Sequence, residues 1–144
     1  MIFNLDKIAI SFAKKIKKST KKDYPAMVIA CMDNSQRFAE KDTSKSHFSG
    51  KLNAQLRILL LVKLGGDCGE KSNITNCKNF IGSCAEVHAV NRLLKKMNNS
   101  CDINKIIFST PIRPRTMQKK DYCSNCRLTF KTLKNKWLWN CQRY

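Results

Sequence analysis

The sequence predicts an α/β protein, with helices packed on a sheet in one layered domain spanning residues 1–144. Three observations carry that expectation. Residues 25–31 form an unbroken apolar run of strand length, four other segments repeat apolar residues at helical spacing, and the elements alternate as αββα, αβ, αβ. A chain of 144 residues supports one hydrophobic core and is short for two.

Ile8, Phe12 and Ile16 recur every four residues with lysines opposite, which predicts a basic helix over residues 5–18. Pro25 to Cys31 reads as a buried strand, Asp33-Asn34-Ser35 as a turn, and Gln36 to Glu40 as a returning second strand. After a polar loop from Thr43 to Gly50, Leu52, Leu56, Leu59, Leu60 and Leu64 mark one face of a second helix. Gly65-Gly66 ends it. A loop follows from Asp67 to Asn79. The third helix carries Val90, Leu93, Leu94 and Met97 on one stripe and stops at Asn98-Asn99-Ser100. Ile103 to Thr110 reads as a strand closed by Pro111, and Ile112 to Asp121 as a linker. Cys123 then opens a fourth helix with Cys126, Phe130 and Leu133 on one side, and a short final strand is expected near 137–141.

Composition narrows the function. Hydrophobic residues at 42% and charged residues at 26% indicate a globular chain. The longest apolar run, Ile58 to Val62, meets Lys63 well short of a membrane span. The N-terminus is apolar first and basic afterwards, the reverse of a secretory signal, so it is expected to belong to the fold. Net charge is +18 and unevenly spread: residues 1–22 and 113–144 are lysine- and arginine-rich, with Asp6 and Asp121 their only acids. Such blocks repel one another unless a polyanion lies nearby, which makes nucleic acid the leading partner. A general bias toward lysine is the competing origin.

Eight cysteines allow either a disulfide scaffold or reduced thiols with a metal-binding subset, and a chain of this size needs no crosslinks. Cys31, Cys101 and Cys141 read as small core residues, while Cys68 and Cys77 flank a loop across which oxidation could join them.

The chemistry concentrates in two motifs. Cys123 and Cys126 are three apart at a helix start, which puts two sulfurs on one face near the positive end of the backbone dipoles. Cys84 holds the matching position on the preceding helix, with Glu86 in the same turn. If the two helix starts meet, three thiolates converge and leave a tetrahedral zinc one position for water, next to a carboxylate able to take its proton. The competing readings are a structural zinc knot closed by His88, or cysteines serving packing alone.

The segments GSCAEVHAVNRLL and YCSNCRLTF resemble those of the cytidine deaminase-like superfamily, and the order of elements from Pro25 onward is similar to that fold. The compact GSCAE…CSNCR form resembles the bacterial toxin-type branch, including the YwqJ-like deaminases. The resemblance implies a three-layer α/β/α fold with a mixed central sheet. It implies Zn2+ held by Cys84, Cys123 and Cys126, with Glu86 as general acid/base in hydrolysis of cytosine to uracil. The two motifs together with the +18 charge point to nucleic acid as substrate, DNA ahead of RNA, with free cytidine or deoxycytidine as the alternative. A further alternative is a zinc-stabilised nucleic-acid-binding module without catalysis. Toxin-type relatives imply an inhibitor (immunity) protein as partner. The expected location is the cytoplasm, or secretion or delivery as an effector, with no membrane association. Two departures alter the pocket rim: Tyr122 stands where the family usually has proline, and the segment from Pro111 to Tyr122 is long.

Asn53, Asn79, Thr110 and Tyr122 are candidates for reading the base, and Phe48, Phe80 and Trp139 for stacking on it. Arg113, Arg115, Lys119 and Lys120 are candidates for a phosphate track; a solvated loop is the alternative for these four.

Overall fold

The computed structural model describes residues 3–19, 24–46 and 51–134. Its centre is β1 (Val28–Met32), every residue of which is buried. Side chains alternate across a strand, so Val28, Ala30 and Met32 meet α1 (Leu5–Ser19), while Ile29 and Cys31 meet the core beneath α3 (Ala85–Lys96). Helices on both faces of one strand explain why its sequence is apolar without alternation. α1 lies close to the sheet through Ala9 and Ala13, both fully buried; Ile8, Phe12 and Ile16, the expected stripe, flank that contact half-buried. Small residues, rather than the bulky ones, set the seam.

β2 (Ala39–Thr43) pairs antiparallel with β1, from Val28↔Thr43 to Met32↔Ala39. This strand falls three residues later than Gln36–Glu40. The Asp33 carboxylate causes the delay by accepting hydrogen bonds from Arg37 N at 3.0 Å and Phe38 N at 2.8 Å, which spends residues 33–38 on the turn. On the other edge of β1, β3 (Ile107–Phe108) pairs Cys31↔Phe108 and β4 (Ile112–Arg113) pairs Val28↔Ile112. Three steps along β1, from Cys31 to Val28, match four along its partner, from Phe108 to Ile112, so the second strand bulges. Ser109 fills the bulge: its N donates to Ala30 O at 2.8 Å, and its Oγ accepts from Ala30 N at 2.9 Å.

Two further expectations are corrected. The expected strand over 103–110 begins as a 3-10 turn at Ile103–Lys105, because the Asp102 side chain accepts from Asn104 N and caps it. The linker from Ile112 to Asp121 contains a hairpin, in which β4 pairs with β5 (Gln118–Lys119) around Met117 at φ 59. The sheet order is β2-β1-β4-β5 with β3 also beside β1, and every registered pairing among the described residues is antiparallel where a mixed sheet was expected. The strand expected near 137–141 lies outside the described residues, as do Phe48, Trp139 and Cys141.

α2 (Ala54–Leu64) buries Leu56, Leu60 and Leu64 and packs on α4 (Ser124–Thr129). It ends at Gly65, φ 71, where a Cβ would meet Asn73 Oδ1 at 2.7 Å. α3 buries Val87, Val90, Leu93 and Leu94 against the same core, where the Phe108 and Phe130 rings meet at 5.1 Å. No helix among the described residues is long and apolar enough to cross a membrane.

Candidate metal centre and cleft

Cys84 and Cys123 are the N-cap residues of α3 and α4, with nearly the same backbone conformation, φ −71, ψ 149 and φ −72, ψ 160. N-caps are usually Ser, Thr, Asp or Asn, whose side-chain oxygen accepts from the first turn. Neither cysteine makes a capping bond; instead the two sulfurs face each other at 3.2 Å. Cys126, one turn into α4, donates from its thiol to Glu86 Oε2 at 2.9 Å. The ligand atoms of Cys84, Glu86, Cys123 and Cys126 all lie within 4.8 Å of one another.

Local structure holds the two helix starts together. Gly82, at φ 88, turns the chain into α3; Ser83 bonds back to Phe80 O through both N and Oγ, and Ser83 O accepts from Lys45 N beyond β2. On the other side, Tyr122 is anchored by its hydroxyl on Ser109 O at 2.8 Å and by its N on Asp121 Oδ1 at 2.9 Å. Asp121 and Arg127 form an ion pair with only 4% and 7% of their side chains exposed, which ties the chain before Cys123 to the helix after Cys126. The bulge at Ser109 thus helps to aim the second pair of sulfurs.

The electrostatics of the cluster are compatible with a cation. Hydrogen bonding with Cys123 and Cys126 lowers the Cys84 thiol to about 6, while burial raises Cys126 well above the usual thiol range. Burial likewise raises Glu86, only partly offset by the bond from Cys126. Three thiolates and a carboxylate cannot all ionise in so small a buried space unless positive charge joins them. A divalent ion would replace the protons that otherwise keep the cluster neutral. Thiolates bound about 2.3 Å from one tetrahedral ion sit roughly 3.8 Å apart, which fits the observed span. These four residues can therefore hold a metal ion, and the sulfur-rich donor set is compatible with zinc. His88 is not in the group; its imidazole is lowered by burial and lies near Lys45 and Asp42. All seven described cysteines are free, Cys68 and Cys77 included.

Cys84, Glu86 and Cys123 line a cleft of about 1340 Å³. Tyr24 and Phe80 stand on its walls, and Lys45, Lys78 and Arg113 bring three cations to it from different segments. Of the candidates for reading the base, Asn79 lines the cleft and points Nδ2 at Cys84 Sγ, 3.8 Å away. Asn53 caps α2, accepting from Gln55 N and Leu56 N. Thr110 N donates to Asp6 Oδ1, and Tyr122 spends its hydroxyl on Ser109. None of these three is among the described residues lining the cleft. Of the proposed phosphate contacts, Arg113 lines it and Arg115 lies over the Tyr24 ring at 5.7 Å; Lys119 and Lys120 are not among its described lining residues.

Sequence reasoning passed over Lys45, Lys78, Asp121 and Arg127. Asp121 carried a signal, as the single acid in the basic C-terminal block; Lys45 and Lys78 sit in polar loops and carried none. Comparisons with protein-family models, with curated proteins and with solved structures find no match for this chain.

Proposed function

We propose that the protein is a zinc-dependent cytosine deaminase of the cytidine deaminase-like, three-layer α/β/α kind, acting on nucleic acid, DNA ahead of RNA. The observation that carries this reading is the Glu86 carboxylate, 4% exposed and set among three sulfurs at the floor of an open cleft. A structural knot has no use for a carboxylate there, whereas hydrolysis needs a group that moves protons.

Cys84, Cys123 and Cys126 would hold the ion. When bound, zinc supplies a Lewis acid that makes water a usable nucleophile near neutral pH. Glu86 would take one proton from the attacking water and deliver it to the ring nitrogen, then take the second from the new hydroxyl on C4 and deliver it to the leaving amine. Oxygen adds to C4 of cytosine, the C4–N bond breaks, and ammonia leaves to give uracil. The raised proton affinity of buried Glu86 suits both halves of that task. Asn79, beside Cys84, is placed to orient the base.

The cleft exceeds the roughly 300–1000 Å³ typical of small-molecule pockets, and Lys45, Lys78 and Arg113 suit phosphates flanking an extruded or single-stranded base. Tyr24 and Phe80 offer ring faces for stacking. The test is uracil formation from single-stranded DNA, duplex DNA, RNA and free cytidine at low salt. Turnover of a polymer that falls with added salt is expected. Turnover of the nucleoside alone, insensitive to salt, assigns the free-nucleoside reaction instead. No uracil from any of the four ends the catalytic reading.

A further inference from the structure

A groove of about 710 Å³ runs along α1, and Ile16 lines both it and the cleft, so the two cavities adjoin. Its wall follows helical spacing, with Lys7, Ser11 and Lys15 in one row and Ile8, Phe12 and Ile16 in the next. Lys41 closes it from β2, with Nζ 5.6 Å from the centre of the Phe12 ring. Glu40 and Asp42 flank Lys41, but side chains alternate across a strand, and Glu40 faces away to pair with Arg92 and Lys96 of α3. Asp6, the acid of α1, accepts from Thr110 N at 2.9 Å and is not among the described residues lining the groove. Among the described residues no carboxylate lines this groove, and none pairs with Lys7, Lys15 or Lys41. Where cleft gives way to groove, Tyr24 donates its hydroxyl to Lys17 O at 3.4 Å and carries Arg115 over its ring at 5.7 Å.

We propose that this groove is a second nucleic-acid site, which carries a single strand onward from the cleft along α1. That the strand runs on from the cleft rests on reading the cleft as a nucleic-acid site; that the groove binds a polyanion does not. Three unpaired cations facing one another across a concave, partly apolar surface repel until anionic charge enters, and a phosphodiester backbone supplies that charge at regular intervals. Lys7 and Lys15 from the helix and Lys41 from the strand take phosphates on two sides, while Ile8 and Ile16 offer apolar surface to the bases between them. The shared residue Ile16 and the Tyr24–Arg115 stack make one continuous path, in which the cations of the cleft and those of the groove serve the same strand. A lipid surface fits less well. Ile8, Phe12 and Ile16 pack against the core cluster beneath α1, so the helix does not turn its apolar stripe outward as one lying on a bilayer would.

The experiment follows fluorescence anisotropy of labelled single-stranded DNA, about 4 and about 16 nucleotides long, titrated with the full chain. The longer strand should bind the parent at least about tenfold more tightly, an excess that shrinks with added salt. Lys7→Ala, Lys15→Ala and Lys41→Ala together should remove most of that excess and lower the log–log salt slope by about 0.7 per cation. A charge-matched variant, Lys14→Ala with Lys17→Ala and Lys18→Ala, takes three lysines from α1 that are not among the described lining residues, and should keep the excess. An excess that survives the groove variant, or that falls equally in both variants, overturns the proposal. So does a parent that binds neither strand. Vesicles rich in phosphatidylserine that bind through Lys7, Lys15 and Lys41, with DNA binding unchanged, assign the groove to a lipid surface instead. Anisotropy needs no turnover, so DNA held by the groove of a protein that makes no uracil sinks the deaminase reading alone, and uracil formed with no role for the groove sinks this one alone.

Discussion

Replacing Glu86 by glutamine keeps the side chain's shape and its capacity to accept from the Cys126 thiol, and removes its ability to take a proton. A positioned acid/base contributes about 10² to 10⁴ in rate, or roughly 3–5 kcal/mol of barrier. The expected loss falls in the upper half of that range, because no substitute stands nearby among the described residues. Among the described residues the only other carboxylate lining the cleft is Asp121, which is committed to Arg127. Turnover of cytosine by Glu86→Gln should therefore fall about 10³- to 10⁴-fold while zinc content, measured by elemental analysis, stays level. A variant with full metal and turnover within a few-fold of the parent would falsify the assignment of Glu86 as the proton carrier.

The same substitution has a second readout in the metal-free protein. Burial raises Glu86 above its ordinary value of 4.5, so the folded chain binds that proton more tightly than the unfolded chain. The stability from this group is fully present below 4.5 and is lost as pH rises through the folded value. Each tenfold difference in proton affinity corresponds to about 1.4 kcal/mol, or roughly 4 °C in Tm for a chain of this size. Glutamine carries no such linkage. Across pH 4 to 8 the Tm of metal-free protein should decline relative to Glu86→Gln, the shared cysteines cancelling in the difference. Parallel pH profiles contradict a buried, proton-hungry carboxylate.

Three other outcomes are expected. Cys126→Ser, which leaves two sulfurs at the centre, should lose its zinc on dialysis against a chelator that the parent withstands; an undiminished zinc content counts against the three-sulfur site. Combined Lys45→Ala, Lys78→Ala and Arg113→Ala should lower the salt dependence of single-stranded DNA binding by about 0.7 in log–log slope per cation, and an unchanged slope removes the cleft from the nucleic-acid path. Phe130→Ala deletes a ring with no exposed surface that packs on Phe108, and should cost about 3–5 kcal/mol in chemical denaturation; less than about 1 kcal/mol indicates that this core is not tightly packed.

What the sequence made legible follows from how local the cause is. The stripe of Val90, Leu93 and Leu94 needs only helical periodicity, and all three are fully buried. Cys84 and Cys123 at helix starts were readable because caps and stops bound a helix within a few residues. The departures have causes that reach further. β2 begins late because one carboxylate, Asp33, organises six residues of turn. The strand opposite β1 breaks because Ser109 bonds to a strand nearly eighty residues away, which no local pattern records. The cations at the cleft reach beyond the 112–121 segment for a similar reason. Folding that segment into a hairpin leaves Arg113 lining the cleft, while Lys45 and Lys78 arrive from loops with no motif of their own.

The two cysteine caps bear on why the centre exists at all. An oxygen cap contributes on the order of 1 kcal/mol to a helix, and both α3 and α4 forgo it. Burying Glu86 beside sulfurs adds a desolvation cost, and the Asp121–Arg127 pair that orients Cys123 and Cys126 is buried at a further one. Cys84 and Cys126 do belong to the buried apolar core, and Cys123 packs against it, but the buried carboxylate and the buried ion pair add nothing to that packing. Their costs fall on the same few residues, and what those residues share is the small space where a carboxylate and three sulfurs converge. A cation held there would fit that convergence, since positive charge would turn mutual repulsion among the four groups into attraction to a common centre.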